Sequence, residues 1–161
     1  MTRRSRHHPR RSGCPIAITL DVLGDQWSLL VVRDLMFHGR RTFGEFAAAG
    51  EGVATNVLAE RLERLEAAGI IARAHDPADR RRKIYGLTSK GLDLAPVLVE
   101  IVLWAARHEP TDAPPALVAR MRRDRAGFLD ELRRAAGTTS APDHPSRQTR
   151  RVEGRRTRID R

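Results

Sequence analysis

The side chains able to do chemistry in this chain are mostly cations, hydroxyls and amides rather than nucleophile–base pairs. Cys14 is the only cysteine, and no base partner for it is evident. His7, His8, His38, His75, His108 and His144 show none of the spacings that gather ligands round a metal. No glycine-rich phosphate loop is present. The reading is therefore no enzyme, no cofactor and no metal. What remains is the stretch from Gly52 to Gly69, with Asn56, Ala59, Glu60, Glu63 and Arg64 on one side of a helix, and then the run Arg80, Arg81, Arg82, Lys83. An Asn amide both donates and accepts, so it can pair with two atoms of one adenine, while cationic side chains neutralise phosphates. That combination reads and grips a nucleic-acid duplex.

The elements that must position these residues can be traced from the same stretch. Leu58, Leu62 and Leu65 recur at helical spacing and form one apolar stripe. Thr55 is placed to cap the start of this helix, and Gly69 suits the left-handed residue just past its end. Arg61 lies about 60° from the stripe, so a structural ion pair with Glu45 or another acid and a phosphate contact are both open to it. Just before, Thr42 can cap a short helix from Phe43 to Ala48, with Arg41 and Thr42 set to touch phosphate. Gly50-Glu51-Gly52 then makes a tight turn. Two short helices joined by such a turn have the outline of a helix-turn-helix, a weak signal by itself.

The flanking segments strengthen it. Residues 70–75 and 83–87 read as two short strands. Between them Asp76-Pro77 turns the chain, and the loop's two acids cannot neutralise its four cations. A cationic hairpin directly after a helix-turn-helix is a wing, suited to phosphates beside a groove or to the minor groove itself. Upstream, Cys14-Pro15 opens a first helix carrying Ile16, Leu20 and Leu23, and a second runs from Trp27 to near Gly39. Downstream, Thr88 caps another helix, which Pro96 must kink or restart. From Val97 to Trp104 only Glu100 is charged, more apolar surface than one small domain can cover, so this helix calls for a second subunit. After Pro114-Pro115, the residues Leu117, Met121, Phe128 and Leu132 suit the stripe of one final helix ending by Gly137.

With 161 residues the chain can bury one ordinary core, expected over 14–137, between a disordered basic arm (1–13) and a disordered basic tail (138–161). Of the net charge of +10, the arm supplies five Arg and no acid, and the tail seven Arg against Asp143, Glu153 and Asp160. Two basic ends on a nearly neutral core lean toward a polyanionic partner. No stretch reaches the roughly 18 apolar residues of a membrane span, and no apolar run follows the basic N-terminus. The expected place is the cytoplasm, with Cys14 reduced.

From Cys14 to about Arg107 the chain resembles the HxlR-type winged helix-turn-helix transcriptional regulators of bacteria, relatives of the MarR group. The likeness is carried by Cys14-Pro15, the block Leu20 to Leu30 around Gly24-Asp25-Gln26-Trp27, and Arg33-Asp34-Leu35. It continues through Phe43-Gly44-Glu45-Phe46, the block Gly52 to Leu62, Leu65 to Ile70, Asp76-Pro77 and Arg80-Arg81. Tyr85, Leu87-Thr88, Lys90-Gly91, Pro96-Val97-Leu98 and Trp104 complete it. Where many relatives have Ser the chain has Ala54, which passes the cap to Thr55.

The resemblance implies a mostly α fold with a small β-hairpin wing, dimerising through the N-terminal helix and the helices after the wing. It implies a homodimer that binds double-stranded DNA at an imperfect palindrome, with repression the expected sign. In that frame Thr55, Asn56, Ala59 and Glu60 face base edges. Arg64, Arg41, Thr42, Arg80, Arg81, Arg82 and Lys83 lie nearer phosphate. Some relatives sense oxidants or electrophiles through a cysteine at the place of Cys14, making it a candidate redox switch; its other reading is a small buried apolar residue. A small-molecule effector is a further candidate partner, with Trp27, Phe37 and Phe43 either lining its pocket or simply packing in the core. The competing function is a winged-helix protein-interaction module whose basic tails are incidental.

Overall fold

The computed structural model describes residues 12–137. The 138–161 tail, and all but the last two residues of the 1–13 arm, lie outside the described residues. Eight helices and one two-stranded sheet follow in order. They are α1 (Pro15–Leu23), α2 (Ser28–Phe37), α3 (Phe43–Ala47), α4 (Thr55–Ala67), β1 (Ile71–His75), β2 (Lys83–Leu87), α5 (Ser89–Leu92), α6 (Ala95–His108), α7 (Pro115–Arg123) and α8 (Arg125–Gly137).

Local chemistry explains most of the boundaries. Pro15 takes the first position of α1, where its missing N–H costs nothing. Thr42 starts α3 with a capping box: its hydroxyl accepts from the Glu45 amide at 3.3 Å, and Glu45 reaches back to the Thr42 N–H at 2.7 Å. Gly50 and Gly52 hold φ of 87° and 71°, a left-handed backbone that a side chain would resist, and so turn the chain between α3 and α4. α4 buries Leu58, Leu62 and Leu65, as its stripe requires. Full burial of each such Leu is worth about 2 kcal/mol, so this stripe and not intrinsic propensity fixes the helix to the body.

β1 and β2 pair antiparallel, from Ile71 opposite Leu87 to His75 opposite Lys83. A further link ties the wing to the helix-turn-helix, because the Tyr85 N–H donates to the Arg41 carbonyl at 2.7 Å. Thr88 caps α5, accepting from Gly91 and donating to the Gly69 carbonyl at 2.7 Å. Pro96 restarts the chain as a separate helix instead of kinking a continuous one.

One expectation fails at the C-terminal end: the single final helix is two. Asp124, with φ −133° and ψ 66°, interrupts it and accepts the Gly127 N–H at 3.1 Å, which starts α8 afresh. The break lets α8 fold back and bury Phe128, Leu132 and Ala136 against the core shared by α2, α5, α6 and β2. Among the described residues no single helix is long and apolar enough to cross a membrane.

Candidate nucleic-acid interface

α4 presents the expected outer face. Thr55, Asn56, Glu60 and Arg64 are exposed and Ala59 is half-buried. The cap is not Thr55. Ala54, extended at φ −67° and ψ 141°, is the capping residue and makes no side-chain bond, while Thr55 is already helical. The reason is steric position: a cap must keep an extended backbone, and here the helix begins one residue earlier than a Thr55 cap would need. Thr55 is exposed and carries no capping duty.

Further along α4 the charges are organised. The Glu60 carboxylate takes a hydrogen bond from Arg61 at 3.2 Å and lies 4.0 Å from Arg64. Arg61 also lies 3.5 Å from Asp25, and Arg64 donates to the Asp21 carbonyl at 3.4 Å. Arg61 thus pairs with Asp25 and Glu60; Glu45, its suggested partner, is engaged elsewhere.

At the start of α3, Glu45 accepts the Arg41 and Thr42 amides and the Thr42 hydroxyl. The Arg41 amide, helped by both Thr42 donors and the nearby charge of Arg82, outweighs partial burial and holds this carboxyl below its usual pKa. Arg41 and Thr42 are both half-buried, the Arg41 Nε 3.5 Å from the Tyr85 carbonyl. Opposite them stands the wing. Asp76 pairs with Arg82 at 3.2 Å, and Asp79 accepts the Arg81 amide at 3.0 Å. The two acids are therefore engaged, and Arg80, Arg81 and Lys83 are exposed without an ion pair among the described residues. A cleft of about 720 Å³ runs between the two, lined by Thr42, Glu45, Arg81, Arg82, Lys83 and Tyr85 among others.

A second surface lies on α1 and α6. Ile16 is 71% exposed and Trp104 61%, with Leu20, Val97 and Ile101 also open. Residues 97, 101 and 104 form one stripe of α6. Cys14 is exposed at the start of α1, so the core of its own chain does not bury it. Pro15 and the solvent-facing first turn of α1 leave no core for the thiol to enter.

These features arrange themselves as a winged helix-turn-helix, and the HxlR-like helix-turn-helix family model matches residues 22–113. The chain belongs to the HxlR-like helix-turn-helix family of transcriptional regulators. Among its HxlR-like relatives, the HTH-type regulator sll1512 of Synechocystis is 42% identical over 86 residues, 53% of this chain and 63% of that protein. YvaP of Bacillus subtilis is 41% identical over 86 residues, 79% of its own length. The chain thus spans less than two thirds of the cyanobacterial relative. Of the solved structures, the oxidised redox regulator HypR superposes with TM-score 0.53 at 29% identity, over 61% of this chain and 100% of that one. Reduced YodB from B. subtilis gives 0.51 at 32%, over 63% and 100%. The HxlR-like match ends at residue 113, before α7 and α8.

The residues suggested for an effector pocket do not converge. Trp27 borders a space of only about 20 Å³ beside Phe46 and Leu58, while Phe43 lines the cleft beside the wing. A volume near 20 Å³ holds one water, not a ligand. Phe37 packs at the edge of the core.

Two features of this HxlR-like site escape the sequence reading. Asp25 accepts the Trp27 and Ser28 amides, each at 2.9 Å, and the Ser28 hydroxyl. Burial alone would raise its carboxyl, but Ser28, the two amides and Arg61 outweigh it and leave the pKa below the ordinary value. An Asp three residues before an apolar helix is a capping signal, hidden here by a Gly24-Asp25 pair that reads first as a break. The second is Asp34, 3% exposed, which binds both Arg33 and Arg40, while Arg33 continues to Glu51. That network ties α2 to the turn before α4, a long-range pairing that no local spacing announces.

Proposed function

We propose that the protein is a homodimeric, sequence-specific DNA-binding regulator that works in the cytoplasm on a palindromic operator, as a repressor. One observation carries the reading. The exposed first turn of α4, with Thr55 and Asn56, stands beside a wing whose Arg80, Arg81 and Lys83 have no acid to pair with among the described residues. The open turn suits base edges, and the cations suit the flanking phosphates. Ala59 can approach closely, since it adds only a methyl. Glu60 and Arg64 hold one another and the α1 end, so they orient the helix as well as facing the groove. Arg41 and Thr42 shape the phosphate side of the cleft, with Arg82 held by Asp76. The exposed stripes of α1 and α6 form the dimer contact. The test is fluorescence anisotropy with duplexes recovered from a random pool by the full chain. A selected duplex binding no tighter than a random one would leave only the interaction-module reading.

A second reading concerns Cys14 and rests on its exposure at the start of α1, beside the dimer stripe. HypR, similar in fold, is a redox regulator by name. We infer that peroxide, with uptake of one proton, oxidises the Cys14 thiolate to a sulfenic acid and releases water. A second thiol, from the other subunit or a small thiol, then condenses with it to a disulfide and releases another water. The measurement is DNA affinity with and without peroxide in Cys14→Ser and wild type; an identical response in both removes Cys14 from regulation.

A further inference from the structure

We propose that Arg61 is a positioning residue: through Asp25 it holds α4 against the α1–α2 corner, so the helix that carries Cys14 and the dimer stripe sets the pitch of the reading helix. This rests on the DNA-binding reading above and names the coupling inside it.

The geometry sets Arg61 apart from the other arginines of the interface. Its side chain is 14% exposed, against 50% for Arg64 and 57% for Arg82. Its terminal nitrogens meet Asp25 at 3.5 Å and Glu60 at 3.2 Å, and its Nε is buried with no hydrogen-bond partner. A guanidinium so enclosed faces protein, not the phosphates of a duplex. Asp25 is itself fixed, because it caps the start of α2 through the Trp27 and Ser28 amides and the Ser28 hydroxyl, and Ser28 is 1% exposed. One carboxylate therefore anchors two helices at once. One turn further along α4, Arg64 reaches the Asp21 carbonyl in the last turn of α1. Glu60 bridges the two arginines. α4 is laced to α1 and its exit at two successive points, and a change in how α1 pairs across the dimer displaces both anchors together.

The experiment is a double-mutant cycle in the full-length dimer, with Asp25→Asn, Arg61→Met and the two combined. The asparagine side chain keeps an oxygen for the Trp27 and Ser28 amides, while the methionine side chain keeps the aliphatic packing of the arginine it replaces. Affinities are measured for a duplex selected by the wild type and for a random duplex of equal length, across a salt series. The expected result is a loss of about tenfold in the ratio of the two affinities, of similar size in both single variants and the double. The salt slope and the dimer are expected to be unchanged. If Asp25→Asn leaves the ratio intact while Arg61→Met lowers the salt slope, Arg61 touches phosphate and the proposal is overturned. Losses that add in the double variant overturn it as well, since the two residues then act apart. Should Arg61→Met not fold, Arg61→Lys and its combination with Asp25→Asn supply the same comparison. A wild type that does not discriminate at all would instead defeat the DNA-binding reading, a different outcome.

Discussion

In the proposed DNA-binding reading, Asn56 is the side chain on which base recognition turns. It is exposed on the first turn of α4, where its amide can make two hydrogen bonds to one adenine. Asn56→Ala should cost roughly 1–3 kcal/mol on the selected duplex and little on a random one, measured by anisotropy. Equal losses on both would deny it the role. Asp25 supplies a second residue-level prediction, on pH. Its carboxyl and that of Glu45 are depressed in the folded chain. Their stabilisation is complete above the unfolded values near about 4 and is lost as pH falls through the folded ones. Asp25→Asn should therefore flatten the acid limb of a melting-temperature curve below about pH 4; an unchanged limb would contradict the pairing. The exposure of Asn56 was legible in the sequence because helical spacing sets it opposite Leu58 and Leu62. The pairing of Arg61 with Asp25 was not, since 36 residues of chain separate the two and must fold before they meet.

At the scale of elements, capping separates two threonines that look alike in sequence. Thr42 closes a capping box with Glu45, whereas Thr55 lies inside its helix and makes no cap bond. Thr42→Ala should lower stability by about 1 kcal/mol, and Thr55→Ala should leave it nearly unchanged while weakening operator binding. Chemical denaturation of both variants decides the matter, and a larger loss at Thr55 would mean that the helix begins later. The helix-turn-helix and the wing could be read directly, because glycine turns, an apolar stripe and alternating strands are local signals. The division of the last helix was harder to see. Leu117, Met121, Phe128 and Leu132 keep a helical spacing across Asp124, so periodicity hid a break that one aspartate makes. The corrected cap at Ala54 has a similar origin, since a threonine at a helix start is a good cap only if its backbone stays extended.

The whole molecule combines a cationic wing with a separate apolar stripe on α1 and α6. Phosphate neutralisation releases counterions, so the wing should appear in the salt dependence of binding. Removing Arg80 and Arg81 together should lower the slope of log affinity against log salt by about 1.8 per subunit if each touches one phosphate. A slope equal to wild type would place them in solvent. The exposed apolar stripe was legible as an excess, because Val97 to Trp104 holds more greasy surface than one domain covers. What the sequence could not show was that α8 would occupy the back of the core and leave that stripe as the open one. The central claim is that two copies of α4, set by this stripe, enter successive major grooves on one side of a duplex. Hydroxyl-radical and dimethyl-sulfate footprinting on a selected duplex tests it most directly, using the wild type beside a Leu20→Glu, Ile101→Glu double variant. The account predicts two major-groove tracts about 10 base pairs apart, or a multiple of that, lost when the dimer is broken. A single protected tract, or protection that survives in the monomer, would contradict it.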